Sequence, residues 1–237
     1  LKKDGKLITS QEEKANALND QFHGAFTREI NQNIPDKGPS THPVMSEITI
    51  GTTGVHKLLK NLNPNKAQGP DEINSRILKE RADQIAPILT IIFEKSLKTG
   101  ETPNDWRKAN VSPIYKKGDR YNPANYRPVS LTCICCKIME HIISSQVMHH
   151  LEDNQILYEW QHGFRSKRSC ETQLITLIQD LAQNISGTKF KQTDIIITDF
   201  SKAFDKVPHK RLLYKLQYYG VNNTTRSEEH TSELQSH

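Results

Sequence analysis

Residues 193–200, TDIIITDF, constrain the fold more than any other stretch of the chain. Alternate side chains of a strand point to opposite faces, so Ile195 and Ile197 share one face and Ile196 and Phe200 the other. A strand apolar on both faces has to be covered on both, which predicts a central, buried strand over 193–200. Asp199 ends the Ile195/Ile197 face. A carboxylate at the exit of a buried strand is costly unless something satisfies it. A hard cation such as Mg²⁺ does so through oxygen ligands, and a turn or cap does so through backbone N–H groups. Asp205, just ahead of Val207-Pro208, reads as a cap or salt-bridge partner, and Phe204 as core packing.

The rest of the chain is mainly helical in pattern. Ser10-Gln11-Glu12-Glu13 fits a capping box ahead of Ala15, Leu18, Phe22 and Phe26 at helical spacing. Residues 31–45 are rich in Pro, Asn and Gly and read as a linker. Val55, Leu58, Leu59 and Leu62 predict a short amphipathic helix, and 63–73 (NPNKAQGPDEI) a loop. A helical pattern resumes at Ile77 and Leu78. Pro87 is expected to break it and open a new helix carrying Ile88, Leu89, Ile92 and Phe93. Residues 105–131 read as two short strands around a basic turn. Ile134, Ile138, Met139, Ile142, Ile143 and Val147 then line one helix face. A basic loop, 161–170, precedes a helix with Leu174, Leu177, Ile178 and Leu181. Pro208 opens a last helix with Leu212, Leu213 and Leu216, closed by Gly220. The expected class is mixed α/β (α+β), with helices packed on short antiparallel strands.

Charge points toward a polyanion. The chain carries 32 basic and 27 acidic residues, a net +5. Setting aside the last twelve residues leaves 31 basic against 24 acidic, or +7. Over 107–127 six basic residues (Arg107, Lys108, Lys116, Lys117, Arg120 and Arg127) meet one acid, Asp119. That run is either a solvated basic face or a phosphate-binding one. Arg165, Lys167 and Arg168 pose the same choice. Three of the four cysteines lie in Cys133-Ile134-Cys135-Cys136, a spacing ill suited to mutual disulfides, and a reducing setting is the natural reading. Cys133-x-x-Cys136 has zinc-like spacing without a second pair, so these residues read as small apolar ones leading into a core helix. No apolar run approaches the ~20 residues of a membrane span, and no block of signal-peptide type is present. The expected location is intracellular, in cytoplasm and nucleus, and the oligomeric state stays open.

DFSKAFDKV, from Asp199 to Val207, resembles motif A of reverse transcriptases in the form typical of non-LTR retrotransposons, the LINE elements of the jockey kind. Three more blocks occur in that family's order. NPNKAQGPDEI (63–73) resembles the segment ahead of the fingers, WRKANVSPIYKKGDRYNPANYRPVSL (106–131) the fingers motif, and HGFRSKRSC (162–170) the Gly-Phe-Arg block. The resemblance implies an RNA-directed DNA polymerase, with an RNA template, a DNA primer, deoxynucleoside triphosphates and two Mg²⁺ ions. It makes Asp199 a catalytic metal ligand, Phe200 a backbone contributor beside the metal, and Phe204 the steric gate against a 2′-hydroxyl. Lys116 and Arg127 would grip the triphosphate. Arg107, Lys108, Lys117, Arg165, Lys167 and Arg168 would track template or primer backbone.

The same resemblance divides the chain into a helix and linker over 1–50, a fingers region over 51–190, the start of the palm over 191–225 and a tail over 226–237. The tail, RSEEHTSELQSH, is similar to a translated sequencing adapter and is expected to be non-native and disordered. The family's downstream block, Tyr/Phe-Ala-Asp-Asp, does not occur in these 237 residues. The reading is thus a polymerase truncated after motif A. A non-catalytic nucleic-acid-binding fragment or an inactive remnant of a mobile element is the alternative.

Overall fold

A computed structural model describes residues 1–3, 5–27, 34–186 and 192–221. The tail 226–237 and the first residues of the 31–45 segment lie outside them. The chain divides into two units, Leu1–His149 with Lys202–His237, and His150–Ser201.

The first unit opens with a small antiparallel hairpin, β1 (Lys2–Lys3) and β2 (Lys6–Leu7), with Gly5 at φ 80° in its turn. Helix α1 (Gln11–His23) follows. Ser10 occupies its N-cap position in an extended conformation, but its side chain makes no capping hydrogen bond. The predicted capping box is therefore absent as a hydrogen-bonded device. Helix α2 (Thr52–Lys60) buries Val55 and Leu59, one turn apart, as the spacing predicts. Asn74 caps α3 (Ser75–Glu80), its Oδ1 accepting from Arg76 N at 2.7 Å.

The break expected at Pro87 falls instead at Arg81, and α4 runs unbroken over Ala82–Thr99 with Pro87 inside it. Ala82, Ala86, Leu89 and Phe93 form one buried stripe through the proline. Burial along that stripe offsets the one ladder bond that proline removes in the second turn. Gly100, at φ 72°, ends α4, its N–H donating to Ser96 O at 2.9 Å.

Two strands follow, β3 (Ala109–Tyr115) and β4 (Tyr126–Thr132), paired antiparallel from Ala109↔Thr132 to Tyr115↔Tyr126. This is the predicted pair around a basic turn. Helix α5 (Ile134–Asp153) then inserts Ile134, Cys135, Ile138 and Met139 into the core made by α2, α3 and α4, with Trp106 packed 5.6 Å from the Phe93 ring. Cys133 is also buried, in keeping with the small apolar role expected of it. Burial pushes the Cys135 and Cys136 thiols up to about 12, so both stay protonated at neutral pH.

Polar ties hold the helices in place. Ser75 Oγ donates to Asn63 O at 2.9 Å and Lys79 Nζ to Leu62 O at 3.0 Å, pinning the predicted loop to α3. His56 and Lys60 on α2 reach Asp83 on α4 at 2.8 and 3.0 Å, and the Lys60 ammonium, then His56, holds the Asp83 carboxyl below its usual range. Gly69 lies so close to the β4–α5 junction that an added Cβ would stand 2.6 Å from Cys133 N and 2.7 Å from Thr132 C. Both are backbone atoms and cannot rotate away. Gly69→Ala is expected to cost about 1–3 kcal/mol, read as a lower urea midpoint with unchanged slope. An unchanged midpoint would show that the loop does not make this approach.

Helix α7 (His209–Tyr218) belongs to the same unit, with Pro208 at its N-cap position and Gly220 at φ 85° beyond its end. The described part of the predicted linker is fastened along it. Met45 N donates to Gly220 O at 2.8 Å, Lys37 N to Tyr214 OH at 3.0 Å, and Ser40 Oγ to Tyr218 O. His42 meets Tyr218 and Tyr219 edge to face, at 5.6 and 5.2 Å. Residues 36–45 are therefore a docked strap rather than a free linker.

In the second unit, the helix predicted over Leu174–Leu181 is present as α6 (Cys170–Ser186), with no buried residue. The strand predicted over 193–200 is not formed there. The segment is irregular, and Ile196 and Ile197 are 89% and 87% exposed. A strand persists only where a neighbour takes its ladder hydrogen bonds, and the described strands pair only as β1–β2 and β3–β4.

Candidate nucleotide and nucleic-acid site

The β3–β4 hairpin is the most fully built part of the candidate site. Its turn is closed from inside. Lys116 N donates to Asn125 O at 2.9 Å, and Asn125 Nδ2 donates to Asp119 O at 2.8 Å. Gly118, at φ 93°, passes close to the Asn125 side chain. The Tyr126 hydroxyl donates to Arg120 O at 2.9 Å, the Tyr115 hydroxyl to Gly118 O, and the Arg120 guanidinium lies 5.0 Å over the Tyr115 ring. A turn braced this way holds its exposed lysines, Lys116 and Lys117, on a firm support.

Register adds a second point. Ile114 and Arg127 are directly opposed, so they share one face of the ribbon. Lys116 follows the last residue of β3, its N–H on Asn125 O across the ribbon. The two residues expected to grip a triphosphate thus sit on one hairpin, both exposed. Lys108 is exposed and paired with Asp105 at 3.6 Å, and Arg107 is half-buried at the base.

The other predicted residues are differently placed. Arg165 is half-buried, 3.7 Å from Glu152 Oε1, and its Nη1 donates to Tyr158 O at 3.2 Å. Arg168 donates to Glu159 O, so both guanidiniums brace their own loop, while Lys167, at φ 59°, is exposed. Asp199 and Phe200 are exposed in the second unit. Phe204 belongs to the first unit, in a turn where Lys206 N donates to Lys202 O at 3.1 Å. It is 74% exposed, so core packing does not claim it.

Among the described residues no three His, Cys, Asp or Glu side chains gather as a metal site. Asp199 offers one carboxylate, and a hard divalent ion needs several oxygen ligands. The residues present therefore do not by themselves make a divalent-metal site. No helix among the described residues is long and apolar enough to cross a membrane.

Sequence reasoning missed the N-terminal hairpin, which lies against this fingertip, Lys2 N donating to Tyr121 O at 2.7 Å. The dipeptide Asp4-Gly5 is a hairpin signal that could have found it.

Residues 114–234 match the sequence profile of the family described as reverse transcriptase (RNA-dependent DNA polymerase). The chain is 26% identical over 233 residues to a Drosophila melanogaster protein named "Probable RNA-directed DNA polymerase from transposon BS", covering 92% of this chain and 25% of that protein. It is 29% identical over 162 residues to the "RNA-directed DNA polymerase from mobile element jockey" of the same species, covering 68% and 18%. A third relative, named for the X-element, is 27% identical over 174 residues, covering 70% and 19%. The chain thus spans a quarter or less of the length of these curated relatives. With the basic turn, β4 and the motif DFSKAFDKV inside the matched segment, the chain belongs to the reverse transcriptase family, in the branch carried by LINE-type mobile elements.

Proposed function

We propose that these residues are the fingers and the start of the palm of an RNA-directed DNA polymerase that extends a DNA primer on an RNA template. The division is the one expected from the sequence, with fingers over 51–190 and the opening of the palm over 191–225. The observation that carries this reading is the braced β3–β4 hairpin, which carries Lys116 and Arg127, both exposed. Lys116 supplies a point charge and Arg127 a bidentate fork to the triphosphate of an incoming deoxynucleotide. Phe204 excludes the 2′-hydroxyl. Lys108, Lys117 and Lys167 contact strand phosphates, and Arg107, Arg165 and Arg168 support the elements that carry them. Asp199 is one ligand of a divalent ion, Mg²⁺, whose further carboxylates these residues do not supply.

The test has two parts. The chain is expected to bind a primed RNA with an affinity that falls steeply with salt, and to incorporate no deoxynucleotide with Mg²⁺ or Mn²⁺, since one carboxylate cannot hold two ions against phosphate repulsion. Robust incorporation would overturn the reading of an incomplete site. Absence of salt-dependent binding would overturn the polymerase reading itself. A non-catalytic binding role is the second reading, favoured by the lack of an acidic cluster among the described residues.

A further inference from the structure

The β1–β2 hairpin and the fingertip turn come from sequence positions more than a hundred residues apart, and the fold sets them side by side. Lys2 N donates to Tyr121 O at 2.7 Å, and Lys2 Nζ lies 5.6 Å over the Tyr121 ring. Helix α1 follows the hairpin and packs on the turn at Pro123–Asn125 and on β4. Ile8, buried, anchors the return strand, its N–H donating to Leu1 O at 2.7 Å. The hairpin is therefore attached at both ends.

Charge on the joined surface is one-sided. The hairpin contributes Lys2, and the fingertip Lys116, Lys117 and Arg120, against one acid of the fingertip turn, Asp119. Asp119 is engaged in its own turn, accepting from Tyr121 N at 2.9 Å. Lys2, Lys116, Lys117 and Arg120 are all exposed. Lysines held together without matching acids repel one another, and a polyanion relieves that repulsion while releasing its own counterions. The Tyr121 ring is 52% exposed beside them, an apolar platform of the kind on which bases stack.

We infer that the β1–β2 hairpin extends the fingertip into one docking surface for the phosphodiester backbone of a single nucleic-acid strand, with Lys2 as a phosphate contact and Tyr121 as a stacking platform. This rests on the reading of the chain as a polymerase fingers region. It adds a surface that the motif-bearing residues do not include.

The test measures affinity of the whole 237-residue chain for a labelled single-stranded RNA across a salt series. The variants are Lys2→Gln, Tyr121→Ala, and a control on α4, Lys95→Gln. The tie to Tyr121 O uses the Lys2 backbone N–H, so the hairpin survives the glutamine change, and circular dichroism checks this. Losing one phosphate contact on a single strand should reduce the slope of log K against log salt by about 0.7. Tyr121→Ala should weaken binding with the slope kept. Repeating the series with DNA of the same sequence assigns the source: loss on RNA alone gives the surface to an RNA strand, and loss on both gives it to the backbone common to the two. Unchanged slope in the hairpin variant, with RNA still bound by the unsubstituted chain, overturns the inference and leaves the polymerase reading standing. An equal loss in the α4 control also overturns it, by showing a response to net charge alone. If the unsubstituted chain binds no RNA, both readings fall.

Discussion

In a chain continued through an acidic-pair hairpin, Asp199→Asn is expected to reduce deoxynucleotide incorporation by more than about 100-fold, while template binding stays nearly intact. Asparagine keeps the size of the side chain and removes the charge that holds a divalent ion. Template binding rests on lysine and arginine contacts to phosphate, which this change does not touch. Asp205→Asn should be far milder, because that carboxylate follows the motif's turn and is read as a cap or ion-pair partner. Phe204→Val should keep activity and raise ribonucleotide incorporation, since the smaller side chain leaves room for a 2′-hydroxyl and the ring is 74% exposed. Primer extension on a primed RNA, run with deoxy- and then ribonucleotides, reads all three variants. An active Asp199→Asn beside a dead Asp205→Asn would mean that the catalytic role belongs to the second carboxylate.

The largest effect on stability is expected at Phe93. Its side chain is fully buried, where α4 faces α2 and α5, and its ring stacks obliquely on Trp106, 59° between planes. Phe93→Ala removes that burial and leaves a cavity whose walls are helices tied elsewhere by the Asp83 and Ser75 contacts, so collapse around it is limited. A loss of about 3–5 kcal/mol follows, a large part of a typical domain's stability. Urea denaturation of the whole chain measures it. Ile91→Ala, two residues away on the same helix and 66% exposed, should fall within about 0.5 kcal/mol of the unsubstituted chain. Equal effects at the two positions would show that α4 presents a different face to the core.

The parts of this protein legible in its sequence are those whose physics is local. Helices α2 and α5 were readable because apolar residues at 3.6-residue spacing describe a face whatever lies against it, and that face is buried in both. The β3–β4 hairpin was readable because alternation and a basic Gly/Asn turn specify a strand pair between neighbours in sequence. The motif blocks named the family, since residue types in a fixed order survive without any knowledge of contacts. Tertiary structure decided the rest. Pro87 sits inside α4 because the stripe Ala82–Ala86–Leu89–Phe93 has a core to enter, which a local rule for proline does not weigh. Residues 36–45, Pro/Gly-rich and linker-like in composition, are held by hydrogen bonds to α7 from about 177 positions away. Lys2 reaches Tyr121 across a comparable gap. Residues 193–200 carry the strongest strand pattern in the chain and yet form none. A helix satisfies its own backbone, whereas a strand borrows that satisfaction from a partner, so its pattern states what it needs and the surrounding fold determines whether it is met.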